Sequence, residues 1–160
     1  MKKLIFLIFI CFNSLYSHPH FFIDSKISID KEMIKNEWIF DRLNSRVLLF
    51  DFDKNGNNIF EKEEREEFIK AHFLSLKDNN YNIFLALEDE VEIEPINIKV
   101  EVNKKRISLL FDIKVELNEF FTMCTIDEKI YMAYKLNEVN SHNKLEIQKS
   151  EYDYCIGVSE

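Results

Sequence analysis

From residue 20 onward the chain alternates. Phe21, Ile23, Ile27 and Ile29 fall on one side of a two-residue period, with Ser25 between them, while Phe22, Asp24, Lys26 and Ser28 fall on the other. That spacing predicts a half-buried strand over 20–29. A polar turn at Asp30-Lys31-Glu32 leads to a second run in which Ile34, Trp38 and Phe40 share a face, so the two segments are expected to form a hairpin. The period then changes. Asp41 is placed to cap a short helix over 42–50, in which Leu43, Val47 and Phe50 lie on one stripe, the pattern of a core-facing helix. After Asp51-Phe52-Asp53-Lys54-Asn55-Gly56 a longer helix is expected over 61–77. Its first half is acidic, and Ile69, Phe73 and Leu76 form its buried stripe beside Phe68 and His72.

The second half reads as β-structure. Ile96, Ile98, Val100 and Val102 alternate with polar residues up to a turn at 103–106, and Ile107, Leu109, Phe111, Ile113, Val115 and Leu117 then alternate without a break. Weaker strands are expected over 130–136 and 145–148. Strands, then two helices, then strands predict an α+β fold: an antiparallel sheet with a helix–EF-like loop–helix insertion packed on one face.

The residues ahead of this pattern form a secretory signal. Lys2 and Lys3 make a positive n-region, Leu4 to Phe12 an apolar h-region too short to span a bilayer, and Ser17 the expected cleavage position. Residues 18–160 are then expected to be a single exported domain, periplasmic or secreted. No other apolar stretch is long enough for a membrane span, so an integral membrane protein is not expected. Loss of Lys2 and Lys3 makes the net charge of −8 more negative still. Such a balance argues against a nucleic-acid partner, which needs a basic face, and against docking on anionic lipid. Of three cysteines, Cys11 leaves with the signal. Cys124 and Cys155 remain, either as a disulfide, as the oxidising compartment favours, or as two buried thiols.

Two constellations carry candidate chemistry. Cleavage after Ser17 makes His18 the N-terminal residue, and His18-Pro19-His20 then offers an α-amine and two imidazoles within three residues. Pro19 has no N–H, which closes the copper and nickel mode that deprotonates the second residue's amide. What remains is chelation by the amine and ring of His18 with His20 or another side chain, a set suited to copper, nickel or zinc rather than calcium. The bland reading is a frayed His18 and a His20 that merely opens a strand. Asp24, His72 and His142 are candidate further ligands, although His72 beside an apolar stripe reads first as a packed histidine and His142 as a solvated one.

The second constellation resembles an EF-hand loop. With Asp51 at position 1, Asp53, Asn55 and Gly56 occupy positions 3, 5 and 6, and Asn57 position 7. In this register positions 8 and 12 hold Asn58 and Lys62 instead of an aliphatic residue and Glu. A one-residue bulge at Asn57-Asn58 would bring Ile59 and Glu63 into place. The loop is then a lengthened site closed by Glu63 or Glu61, binding calcium weakly or not at all, or a helix–turn–helix corner held by Asp51 and Asp53. The carboxylates over 61–67 read as a solvated helix face. No serine or cysteine has a nucleophile's context and no glycine-rich phosphate loop is present, so an enzyme is not expected.

The order HPHFFID, WIFD, LFDFDKNG and YNIF, at residues 18–24, 38–41, 49–56 and 81–84, resembles the exported family catalogued as domain of unknown function 1007. The resemblance covers the first half of the mature chain best. It implies an exported soluble protein associated with ABC-type or nickel/cobalt-type metal transport, with a membrane metal transporter as partner and no known reaction. The expected function is an accessory protein holding nickel, cobalt, zinc or copper at His18 and His20. The alternative is an envelope protein-interaction module with a degenerate calcium loop and no transition-metal role.

Overall fold

A computed structural model describes residues 20–117, 120–129 and 131–158. The signal segment, the cleavage position, Pro19 and His18 lie outside them. The expected α+β class holds, with two sheets in place of one.

The first sheet is built around β1 (Phe21–Asp30) and β2 (Met33–Phe40), which form the expected hairpin with Ile23 opposite Phe40 and Asp30 opposite Met33. β4 (Pro95–Asn103) and β5 (Arg106–Lys114) form a second hairpin, joined through β5 to β2. On the other side of β1 lies β7 (Met132–Ser141), running parallel to it, with a register shift after Ser25. The order is β4-β5-β2-β1-β7, so β1 is flanked on both sides. Its alternating residues Ile23, Ser25, Ile27 and Ile29 are all buried, as the two-residue period requires.

The second sheet was not expected. It comprises β3 (Ile83–Ala86), β6 (Phe121–Thr125), β9 (Tyr154–Val158) and β8 (Glu146–Lys149) in the order β3-β6-β9-β8. All four strands are only four or five residues long, and only β8 coincides with an expected strand, the weak one over 145–148. A disulfide between Cys124 and Cys155 ties β6 to β9 at directly paired positions, with Cα atoms 4.0 Å apart.

Two α-helices follow β2. Helix α1 (Arg42–Phe52) starts at Asp41, whose carboxylate accepts the Asn44 N–H at 2.7 Å. The stripe expected to face the core does the opposite: Leu43, Val47 and Phe50 are 69%, 51% and 89% exposed. The helix is apolar on two sides, and it turns Ser45, Leu48 and Leu49 inward. Ser45 decides the choice, because its hydroxyl donates to the Phe40 carbonyl and accepts the Ile107 N–H. Helix α2 (Lys62–His72) ends five residues before the expected limit, and tight turns over 74–82 replace its last part. Its Phe68 is fully buried, as is the following Phe73. There Phe73 packs with Trp38 of β2 and Phe111 of β5, and the Tyr134 ring of β7 lies tilted against Trp38, centroids 5.0 Å apart. Among the described residues no helix is long and apolar enough to cross a membrane.

A left-handed turn at Asn80, Tyr81 and Asn82 joins the helical part to the second sheet, with φ of 48°, 56° and 57°. Asparagine tolerates this region best. Both asparagines also hold tertiary partners. Asn80 donates to the Ile83 and Val91 carbonyls and accepts the Ile93 N–H, and Asn82 donates to the Tyr134 hydroxyl at 2.9 Å.

Two outcomes follow. Reducing the Cys124–Cys155 bond opens a 31-residue loop in the unfolded chain, so urea unfolding with and without reductant should differ by about 3–4 kcal/mol. Equal stabilities would show that the bond only decorates an already fixed strand pair. Burial pushes the hydroxyls of Tyr134 and Tyr154 up from their ordinary value. Both stay protonated in the folded chain but ionise in the unfolded one. Stability is therefore intact below about pH 10 and falls above it, by about 1.4 kcal/mol per pH unit for each tyrosine. Tyr134→Phe should lower neutral stability by removing the buried hydrogen bond from Asn82, and should make the alkaline decline shallower in pH-dependent unfolding.

Candidate functional site

The start of β1 is held from both sides. Pairing with β2 ends at Ile23 opposite Phe40, so residues 20–22 have no strand on that flank. The side chain of Asn44 takes its place. Its Nδ2 donates to the His20 carbonyl at 2.7 Å, and its Oδ1 accepts the Phe22 N–H at 3.0 Å. On the other flank the Tyr131 carbonyl accepts the N–H groups of His20 and Phe21 at 2.8 and 3.1 Å. Tyr131 is itself positioned by Asp127, a buried carboxylate that accepts the N–H groups of Lys129, Tyr131 and Met132. The exposed His20 ring leans on the Tyr131 ring, centroids 4.9 Å apart. Both backbone groups of His20 are therefore engaged while its imidazole faces solvent.

The other sequence-predicted donors are distributed unevenly. His72 lies at the same end of the sheet, its ring against Phe21, Phe52 and Phe68 at 5.2–5.5 Å. Burial lowers its pKa and the nearby Asp51 charge partly offsets this, so the ring is neutral at neutral pH. Asp24 is occupied by Arg106, 2.9 Å away. His142 lies past β7 in a cavity lined by Ile29, Asp30 and Lys31, at the far end of β1 and about 30 Å from His20 along the strand. Among the described residues no group of three or more His, Cys, Asp or Glu side chains converges to hold a metal ion.

In the EF-like loop the hydrogen bonds centre on Asp53 and Glu64. Asp51 is the penultimate residue of α1. Asp53 opens the loop instead, its carboxylate accepting the N–H groups of Asn57 and Asn58 at 3.2 and 2.7 Å. Asn55 accepts the Asn57 N–H, and Asn57 that of Ile59. Counting from Asp53, Asn55 and Asn57 fall at positions 3 and 5. Asn58 takes the left-handed sixth position at φ 62°, usually a glycine. Phe60 takes the apolar eighth position, 4% exposed. Position 12 is Glu64, which is 5% exposed. Its carboxylate accepts the Lys54 and Glu61 N–H groups, both at 2.8 Å. Glu63, expected to close the loop, faces solvent on α2, and Glu61 meets the Asn55 amide at position 9. No bulge is needed. Gly56 is left-handed as well, at φ 70°.

Sequence reasoning also missed Asn44 and Tyr131, whose contacts with residues 20–22 cross large sequence separations, and Asp127, which acts only through Tyr131. No curated protein and no solved structure matches this chain. The family described as "Protein of unknown function (DUF1007)" matches residues 3–156, nearly the whole sequence, and the chain belongs to that family.

Proposed function

We propose that this is an exported accessory protein of a transition-metal transport system, holding copper, nickel, cobalt or zinc through the mature N-terminal His18-Pro19-His20. The observation that carries the reading is the His20 imidazole. It is exposed at the edge of the fold, yet its backbone is tied down by Asn44 and Tyr131. Because the His20 N–H is spent on Tyr131, a metal would take ring nitrogens and the terminal amine rather than deprotonated amides. The acidic surface favours cations in general.

Correctly cleaved protein, with no residue ahead of His18, is expected to bind Cu(II), Ni(II) or Zn(II) at one dominant site in competition titrations. His18→Ala with His20→Ala should abolish it, and binding should weaken towards acid as protons compete for the same nitrogens. Unchanged affinity in the double variant, or no binding by the native-terminus protein, would contradict the proposal.

A second reading, an envelope interaction module that uses the loop as a calcium-assisted corner, is favoured by the position of Glu64. A buried carboxylate at position 12 supplies the closing ligand that the sequence register lacked. Asparagines at positions 3 and 5 reduce the ligand charge, so affinity should be weak, about 10⁻⁴–10⁻³ M. Millimolar calcium should raise the Tm. Glu64→Gln should remove that rise and Glu63→Gln should keep it, as followed by thermal unfolding. Equal behaviour of the two variants would count against this register.

A further inference from the structure

We propose that the outward face of α1 is an interface for a second copy of this chain, whose own α1 lies parallel to the first. The proposal does not depend on the metal reading. Leu43, Val47 and Phe50 fall three and four residues apart, so at about 100° per residue they form one stripe. The stripe lies on the side of the helix opposite the buried Ser45, clear of the sheet. Among the described residues Phe50 and Leu43 are the two most exposed large apolar side chains. A helix this short is marginal on its own. Here the Asp41 cap and the Ser45 hydrogen bonds to β2 and β5 form it before any partner arrives.

The flanks of the stripe decide what covers it. Arg46 lies on one side and Asp51 on the other, both exposed, and neither forms a salt bridge among the described residues. A uniformly acidic partner would meet Asp51, and a uniformly basic one would meet Arg46. An anionic membrane would be repelled by a chain of net charge −8. A second copy answers both flanks at once. Read as a heptad, Leu43, Val47 and Phe50 take positions d, a and d, Arg46 takes g, and Asp51 the e position that follows. In a parallel two-fold pair each g meets the next e of the other helix, so Arg46 meets Asp51 of the second copy, once on each side. An antiparallel pair would instead set Arg46 beside Arg46 and Asp51 beside Asp51. Valine at a with leucine at d is also the combination that favours two parallel helices. The stripe is roughly 10 Å long. It buries less than the ~1,200 Å² of a stable complex, so the pair is weak, with a Kd on the order of 10–100 μM.

Sedimentation equilibrium of the purified protein from roughly 5 to 500 μM, a range that spans this Kd, should show a monomer–dimer equilibrium. Phe50→Asp should weaken association by at least roughly tenfold and leave the Tm nearly unchanged, because the ring is exposed. Arg46→Asp should weaken it roughly tenfold. Combining Arg46→Asp with Asp51→Arg should restore it to within about threefold, a recovery that general damage to the helix would not give. Leu43→Cys should form an intermolecular disulfide on mild oxidation, with unmodified protein as the control for the native cysteines. Parallel pairing brings the two copies of residue 43 together, and antiparallel pairing separates them. A chain that stays monomeric across this range overturns the proposal, whatever else the face is found to bind. A dimer unaffected by Phe50→Asp overturns it as well, and a dimer that Leu43→Cys does not cross-link overturns the parallel arrangement.

Discussion

The fold depends on the placement of β1. This strand is paired along both edges, antiparallel to β2 and parallel to β7, and its inward residues Ile23, Ser25, Ile27 and Ile29 line the core. A slip of one residue would turn every one of them to the outer face. The register against β7 is set where the strand begins, by the Tyr131 carbonyl that receives His20 and Phe21. The same hydrogen bonds that start the central strand also hold the candidate donor, which couples the stability of the sheet to the geometry of its exposed end.

Helix α1 carries this coupling to the rest of the molecule. Asn44 in its first turn holds residues 20–22, Ser45 bridges β2 and β5, and the loop beginning at Asp53 follows directly from its last turn. His72 closes the circuit. Its neutral ring is packed between Phe21 of β1, Phe52 of α1 and Phe68 of α2, so it acts as an aromatic joint between the strand end and the helical pair.

The long alternating strands were legible in the sequence, as were the two hairpins and the Asp41 cap, because each depends on contacts between near neighbours. The second sheet was not, since its strands are four or five residues long and the pairings of β6 with β3 and β9 are non-local. The inward face of α1 was misread because Leu48 and Leu49 compete with Leu43, Val47 and Phe50, and only the tertiary bonds of Ser45 break the tie. Along β4, Ile96 leaves the expected face, 38% exposed, where Asn97 turns left-handed at φ 55° and interrupts the ladder. At the loop, the left-handed positions are Gly56 and Asn58, and the hydrogen bonds centre on Asp53 rather than on Asp51. His20 was visible as a candidate donor, but the clamp around it required knowledge of which loops meet β1.

The central claim is that the ring of His20, presented from a fixed strand end, binds a transition metal. Its most direct test is nitrogen-15 NMR of histidine-labelled, native-terminus protein as zinc is added. The ring resonances of His18 and His20 should shift as coordinated nitrogens, while those of His72 and His142 stay in place. Shifts confined to His72 or His142, or no histidine shift at saturating zinc, would contradict it.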